Sequence, residues 1–78
     1  MSLDREGATP LYLQISAILR ERIEAGEIAP GRPVPSEAQL SGEYGVSVLT
    51  ARKAVRVLAA EGLVQVVPGR GAYVTERS

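Results

Sequence analysis

The stretch PSEAQLSGEYGVSVLTARKAV (residues 35–55) decides the fold, because its pattern predicts two short helices joined by a tight turn. Ser36, with Gln39 three residues later, forms a capping-box pattern that begins the first of these helices. Gly45 ends this helix and stands where a left-handed turn residue is needed. Only Val46 separates this glycine from Ser47, where the second helix is expected to begin.

The second helix carries an apolar stripe and a basic face. Ser47 is its N-cap candidate, and we expect it to cover about residues 48–61, ahead of a C-terminal Gly62. The apolar residues at helical spacing are Ala51, Ala54, Val55 and Leu58. The cations that lie off this stripe are Arg52, Lys53 and Arg56. Two short helices around a glycine turn, the second of them basic, predict a helix-turn-helix.

The flanking segments complete the expected domain. Upstream, Thr9 can cap a longer amphipathic helix, Pro10 suits its first helical position, and Gly26 suits its end. Downstream, LVQVV (residues 63–67) and AYVT (residues 72–75) are two short strands around the turn PGRG. The prediction is an α+β winged helix-turn-helix, with three helices followed by a two-stranded β-hairpin wing.

The composition excludes several other classes of protein. With 78 residues, the chain has room for one small domain. It has no Cys and no His, so it has no disulfide framework and lacks the commonest metal ligand and general base. No apolar run approaches the roughly 20 residues of a membrane span. We therefore expect no cofactor, no metal, no membrane contact and no enzymatic activity.

A net charge of zero conceals an asymmetry along the chain. Residues 1–46 carry four cations against seven anions, a net charge of −3, whereas residues 47–74 carry four cations against one anion, a net charge of +3. A basic second half favours a polyanionic partner. An α-helix fits the major groove of DNA, where Ser47 and Thr50 can bond phosphates or bases. Arg52 can make a bidentate contact with guanine or bind a phosphate. In the turn, Gly69 and Gly71 let the backbone approach a duplex while Arg70 enters the minor groove.

The sequence resembles the GntR family of bacterial transcription regulators over about residues 9–75. The similar stretches are PLYLQI (10–15), PSEAQLSGEYGVS (35–47), TARKAV (50–55), LAAEGLV (58–64) and PGRGAYV (68–74). The resemblance implies the order α-β-α-α-β-β, with a short extra strand near residues 32–34. It also implies binding of palindromic operator DNA by a dimer, in the bacterial cytoplasm at the nucleoid. Because the apolar stripes are all needed to close one thin core, we expect this homodimer to be weak or induced by DNA. The DNA-facing positions are expected to be Ser36, Gln39, Ser47, Val48, Leu49, Thr50, Arg52, Lys53, Arg56, Gly69, Arg70 and Gly71.

Three positions depart from the family pattern. Ala38 and Val48 stand where the family usually has Arg, and Leu49 occupies a usual Thr position. Val48 and Leu49 would present apolar groups to the groove, where thymine methyls are the natural partners. The alternative is that one or both pack beneath the helix.

The domain is expected over residues 9–75, with disordered tails at residues 1–8 and 76–78. Regulators of this type normally carry a larger C-terminal domain that binds an effector and dimerises the protein. The 78 residues are filled by the winged helix, as an excised domain or as a stand-alone form, so we expect no effector-binding domain and no small-molecule effector site within them. The main hypothesis is a sequence-specific transcription regulator, most often a repressor in this family. One alternative is a winged helix used for protein–protein contact with weak DNA binding, which the zero net charge and the apolar pair favour. Another is an enzyme built on the scattered carboxylates Glu37, Glu43 and Glu61, whose ordinary role at helix ends is capping and solvation.

Overall fold

The computed structural model describes residues 3–76, which form three helices followed by a two-stranded antiparallel sheet. The elements are α1 (Leu11–Glu24), α2 (Glu37–Tyr44), α3 (Val48–Ala60), β1 (Val64–Val67) and β2 (Gly71–Val74). The two strands pair in a register that places Val64 opposite Val74 and Val67 opposite Gly71. The predicted class, a winged helix-turn-helix with a hairpin wing, is confirmed.

The predicted caps of α2 and α3 are confirmed. The Ser36 hydroxyl accepts a hydrogen bond from the Gln39 backbone N–H at 3.0 Å, and the Gln39 side chain accepts one from the Ser36 N–H at 2.8 Å. Ser47 Oγ accepts from the Thr50 N–H at 3.0 Å. Side-chain oxygens thus satisfy backbone donors at the start of each helix, where helical partners are missing.

The predicted start of α1 is wrong by one residue. Pro10 is the N-cap rather than the first helical residue, and Thr9 makes no side-chain cap. Pro10 has φ −55° and ψ 145°, and its carbonyl accepts from the N–H groups of Leu13 and Gln14. The proline ring fixes φ but leaves ψ free, so a proline suits both positions and the sequence alone did not separate them.

A glycine turn sets α3 against α2. Gly45 adopts φ 65° and ψ 38°, as predicted, and its N–H donates to the Ser41 carbonyl. The Ser41 hydroxyl donates to the Val46 carbonyl, which ties the turn back to the last turn of α2. The two helices are therefore joined by a short, internally hydrogen-bonded connection.

The core lies between α1, α2 and α3 and extends under the wing. Ile15 and Leu19 of α1, Leu40 of α2 and Leu58 of α3 are fully buried. Ala51 and Ala54 of α3 are also fully buried, and these small side chains allow α1 and α2 to approach this face of α3 closely. The opposite face of α3 is left in solvent.

The link between α1 and α2 pairs with the wing. Pro33 forms an isolated antiparallel bridge with Tyr73, the Val34 N–H donates to the Ala72 carbonyl, and the Val74 N–H donates to the Arg32 carbonyl, both at 2.9 Å. The short extra strand implied near residues 32–34 is therefore a single bridge. Pro33 fits at its centre because the two bonds are donated by Val34 and Val74, so its missing N–H is not needed. The pairing ends at Arg32, whose N–H donates to the Ala29 carbonyl at 3.1 Å instead of to β2.

The residues before α1 lie against the helices. The Asp4 N–H donates to Gln14 Oε1 and Gln14 Nε2 donates to the Asp4 carbonyl, both at 2.7 Å. The Arg5 guanidinium donates to the carbonyls of Tyr44 and Gly45 at the end of α2. Of the segment that the sequence predicted as a tail, residues 5 and 6 form a turn, and Asp4 and Arg5 make these bonds to the helices. Residues 1, 2, 77 and 78 of the predicted tails lie outside the described residues.

Candidate nucleic-acid interface

The solvent face of α3 carries the predicted contact residues side by side. Residues three and four positions apart share a helix face, which groups Leu49 with the three cations Arg52, Lys53 and Arg56. All of these side chains are exposed. Val48 is 42% exposed and Leu49 is 57% exposed. The alternative in which one or both pack beneath the helix is therefore wrong, because the inner face of α3 is already filled by its alanines, Val55 and Leu58.

The polar residues at the helix starts keep donors for a partner. The Ser47 hydroxyl donates to Thr50 Oγ1 at 3.0 Å, and this bond leaves the Thr50 hydroxyl proton able to donate to a partner. Gln39 uses Oε1 in the capping box, which leaves its Nε2 amide able to donate, and the Ser36 hydroxyl proton is likewise not used by the cap. Ser36, Gln39 and Ser47 are exposed, and Thr50 is half-buried. Such donors suit phosphate oxygens.

The cations of α3 divide between two sides of its face. Arg52 Nε lies 3.2 Å from Glu37 Oε1 and 3.3 Å from Glu37 Oε2, toward α2. Lys53 Nζ lies 5.9 Å from the ring centroid of Tyr12, toward α1, a distance typical of a cation–π contact. The basic face is thus positioned by an acid on one side and by an aromatic ring on the other.

The wing presents an exposed arginine on a tight turn. The Arg70 N–H donates to the Val67 carbonyl at 3.0 Å, and the flanking Gly69 and Gly71 adopt φ 76° and 118°. A Cβ at either glycine would meet nothing within 4 Å, so the glycines are required by the backbone conformation rather than by crowding. The open space beside them allows another molecule to approach the backbone.

A groove of about 600 Å³ separates the wing from α3 and the start of α2. Its lining combines three arginines with small and apolar residues, among them Arg52, Arg56, Arg70, Ala38 and Val66. Val66 is half-exposed and was missed from the sequence. The available signal was the alternation of side chains along β1, which places Val66 on the same face of the strand as the buried Val64. This face is turned toward the helices, and Val66 lines the groove there.

Two of the three carboxylates considered for catalysis, Glu61 and Glu37, have arginine partners. Arg20 binds Glu61 through Nε at 2.9 Å and Nη2 at 2.7 Å, and this hydrogen bonding lowers the pKa of the Glu61 carboxyl. A general acid at neutral pH needs a raised pKa instead. Glu37 is paired with Arg52 as described. Within residues 3–76 there is no group of three or more acidic, His or Cys residues that could hold a metal ion. No helix in this part of the chain is long and apolar enough to cross a bilayer.

Comparisons with known sequences give consistent results. The sequence model of "Bacterial regulatory proteins, gntR family" matches residues 11–74. The mannosyl-D-glycerate transport/metabolism system repressor MngR of Escherichia coli (strain K12) is 43% identical over 70 residues, which are 90% of this chain and 29% of MngR. The HTH-type transcriptional repressor NagR of Bacillus subtilis (strain 168) is 36% identical over 76 residues, 97% of this chain and 31% of NagR. The chain thus spans less than a third of these relatives.

A comparison with solved structures matches the whole fold. AraR(DBD) in complex with operator ORX1 superposes with a TM-score of 0.86 at 31% identity, over 96% of this chain and 93% of the AraR domain. The family is one of regulatory proteins, which excludes the enzyme alternative. The match of the family model over residues 11–74 and the superposition on a domain of nearly equal length show that this chain belongs to the GntR family of bacterial regulatory proteins and has its winged helix-turn-helix DNA-binding fold.

Proposed function

We propose that this chain binds operator DNA in a sequence-specific manner and acts as a transcriptional repressor. The observation that carries the proposal is the shared exposed face of α3, which faces Arg70 of the wing across the groove. AraR(DBD), similar over nearly its whole length, is bound to operators ORX1 and ORR3 in its solved structures. Repression rests on MngR and NagR, which are both named repressors.

The proposed docking places α3 in the major groove and the wing at the minor groove. In helix-turn-helix proteins the N-terminal residues of the recognition helix contact base edges, which here are Val48, Leu49 and Arg52. Arg56 and Arg70 flank the groove that would receive a phosphate backbone, and Arg70 extends to the minor groove. The side chains of Ser36, Gln39, Ser47, Thr50 and Lys53, with the backbone at Gly69 and Gly71, would position the domain on phosphates.

The partner is proposed to be a palindromic operator bound by two copies of the domain. The large apolar side chains exposed within residues 3–76 are Leu13, Val48, Leu49 and Val66, which lie on α1, α3 and the wing. A stable protein interface buries about 1,000 Å² or more around an apolar centre, which this scattered set does not provide. The homodimer is therefore weak or induced by DNA. We propose no small-molecule effector site in this chain, and a site of action on the nucleoid in the cytoplasm.

The test is binding of the chain to a duplex from the upstream region of its own gene and to a random duplex, over a series of salt concentrations. Sequence-specific proteins bind their sites typically 10³–10⁷-fold more tightly than random DNA. For an isolated domain we expect a clear preference that persists across the series, with affinity for both duplexes falling steeply with salt. A ratio near one with a flat salt dependence would contradict the proposal and favour the protein–protein alternative.

A further inference from the structure

We propose that Glu37 is a positioning residue for Arg52, which it holds in the orientation that recognises guanine while weakening its attraction for phosphate. This inference rests on the proposed DNA binding and adds a determinant of specificity outside the recognition helix. The two residues are 15 positions apart, on α2 and α3, and meet only because the helix-turn-helix brings the start of α2 beside the first turns of α3.

The contact occupies one particular part of the guanidinium group. Both carboxylate oxygens of Glu37 accept from the single Nε of Arg52, at 3.2 and 3.3 Å. Within residues 3–76, neither terminal nitrogen of Arg52 has a hydrogen-bond partner, and the side chain is 45% exposed. An arginine fork can pair through Nε and one Nη, or through its two Nη atoms. With Nε engaged, Arg52 presents the two Nη atoms.

That orientation matches one base. In the major groove guanine offers two adjacent acceptors, O6 and N7, and arginine contacts them in a bidentate manner. An arginine held in advance loses less side-chain freedom on binding, because part of its ordering already exists in the free protein. Arg52 is therefore prepared for guanine before the duplex arrives.

The carboxylate stands where the helix favours it. Glu37 is the first residue of α2, directly after the capping residue Ser36, and the start of a helix favours a negative charge. Its side chain is 37% exposed, so the pair is partly shielded by its surroundings. Glu37 therefore provides a partly shielded acceptor for Arg52 at a position that favours its negative charge.

The negative charge of Glu37 also affects binding to any sequence. A phosphate would have to compete with the carboxylate for Arg52, whereas Arg56 and Arg70 have no acidic partner within residues 3–76. Non-specific affinity depends on the number of phosphates that cations neutralise. Glu37 thus reduces the phosphate binding of Arg52 and leaves that of Arg56 and Arg70 intact.

The test selects duplexes from a random pool with the 78-residue chain and sequences those retained. Wild type is compared with Glu37→Gln, Arg52→Ala, the double variant and Arg52→Lys. Glu61→Gln is the matched control, because it removes an equivalent carboxylate from the Arg20–Glu61 pair on another surface. Thermal unfolding of each variant verifies that the fold is retained, and a random-sequence duplex gives the salt slope.

We expect Arg52→Ala to abolish a guanine preference at one position of the half-site, and Glu37→Gln to weaken that same preference at least threefold. Glu37→Gln should also tighten binding to the random duplex and steepen its salt slope by about one phosphate contact. In the Arg52→Ala background, Glu37→Gln should have no further effect on the selected sequence. If Glu37 had a general structural role, its loss would change the selected sequence in this background too. Arg52→Lys should retain the slope and lose the guanine preference.

Three results would overturn the inference in different ways. If wild type selects a sequence but Glu37→Gln retains the full guanine preference, or weakens it equally without Arg52, Glu37 does not act through Arg52. If wild type selects no sequence at all, the proposed function fails and this inference fails with it. An effect of Glu61→Gln as large as that of Glu37→Gln would show that only overall charge matters.

Discussion

The exposed apolar pair at the start of α3 predicts that this domain recognises thymine methyl groups. Val48 and Leu49 are 42% and 57% exposed. They come directly after the N-cap of α3, the helix expected to enter the major groove. The C5-methyl of thymine is the apolar group that the major groove offers. We therefore expect replacement of a contacted thymine by deoxyuridine, which lacks only this methyl, to weaken binding.

The magnitude is set by the area that is removed from water. Burying one methyl or methylene group contributes about 0.8 kcal/mol, so each contacted thymine should be worth about fourfold in affinity. Burying a whole Leu side chain contributes roughly 1.5–3 kcal/mol, and about half of Leu49 remains to be buried. Leu49→Ala should therefore cost about 1 kcal/mol of binding, and Val48→Ala somewhat less. Alanine favours helix, so neither change should destabilise α3.

The assay is titration of a selected duplex, by fluorescence anisotropy, with thymines replaced singly by deoxyuridine. For wild type we expect a loss at one or two positions near the N-terminal end of α3. At these positions Leu49→Ala or Val48→Ala should show a smaller loss, because the side chain that contacts the methyl is gone. Ala60→Ser, an exposed change at the far end of α3, is the control. If the uracil penalty is the same in wild type and in both variants, the pair does not contact thymine.

Three further predictions concern the wing, the ion pair and the turn. Arg70→Ala should lower affinity for specific and random duplexes alike and reduce the salt slope by about one unit, whereas Arg20→Ala should leave the slope unchanged; equal slopes for Arg70→Ala and wild type would remove the wing from the interface. The pKa of Glu61 is lowered in the folded protein, so its contribution to the free energy of unfolding is present above its ordinary pKa of 4.5 and is lost as the pH falls through the folded-state pKa. Glu61→Gln should therefore flatten the acid side of a plot of unfolding free energy against pH. An unchanged acid side would contradict this. Gly45→Ala should lower the free energy of unfolding by about 1–2 kcal/mol, because it forces a Cβ into a left-handed conformation; an unchanged melting temperature would contradict this.

The local parts of the fold could be predicted because their signals lie within a few residues. The capping box of Ser36 and Gln39, the Ser47 cap and the left-handed Gly45 are each set by adjacent residues, and each was placed correctly. The start of α1 was predicted one residue too early. The proline ring fixes φ at Pro10 and leaves ψ free, so the same residue fits the N-cap and the first helical position. The bridge at Pro33 was implied by a family resemblance, and its single-residue length reflects the Arg32 N–H, which donates to the Ala29 carbonyl instead of to β2.

The features that required the structure are contacts between elements distant in sequence. Glu37 looked like an ordinary first-turn acid, and Arg52 like one of three equivalent cations, until the packing of α2 against α3 placed them 3.2 Å apart. The packing of α1 against α3 places Lys53 near Tyr12, and Arg56 lines the groove together with Arg52 and Arg70. The cations that the sequence counted as one basic half therefore have three different environments. A count of charges predicts the salt dependence of binding, whereas sequence preference depends on which cation is held by an acid and which is free to bind phosphate.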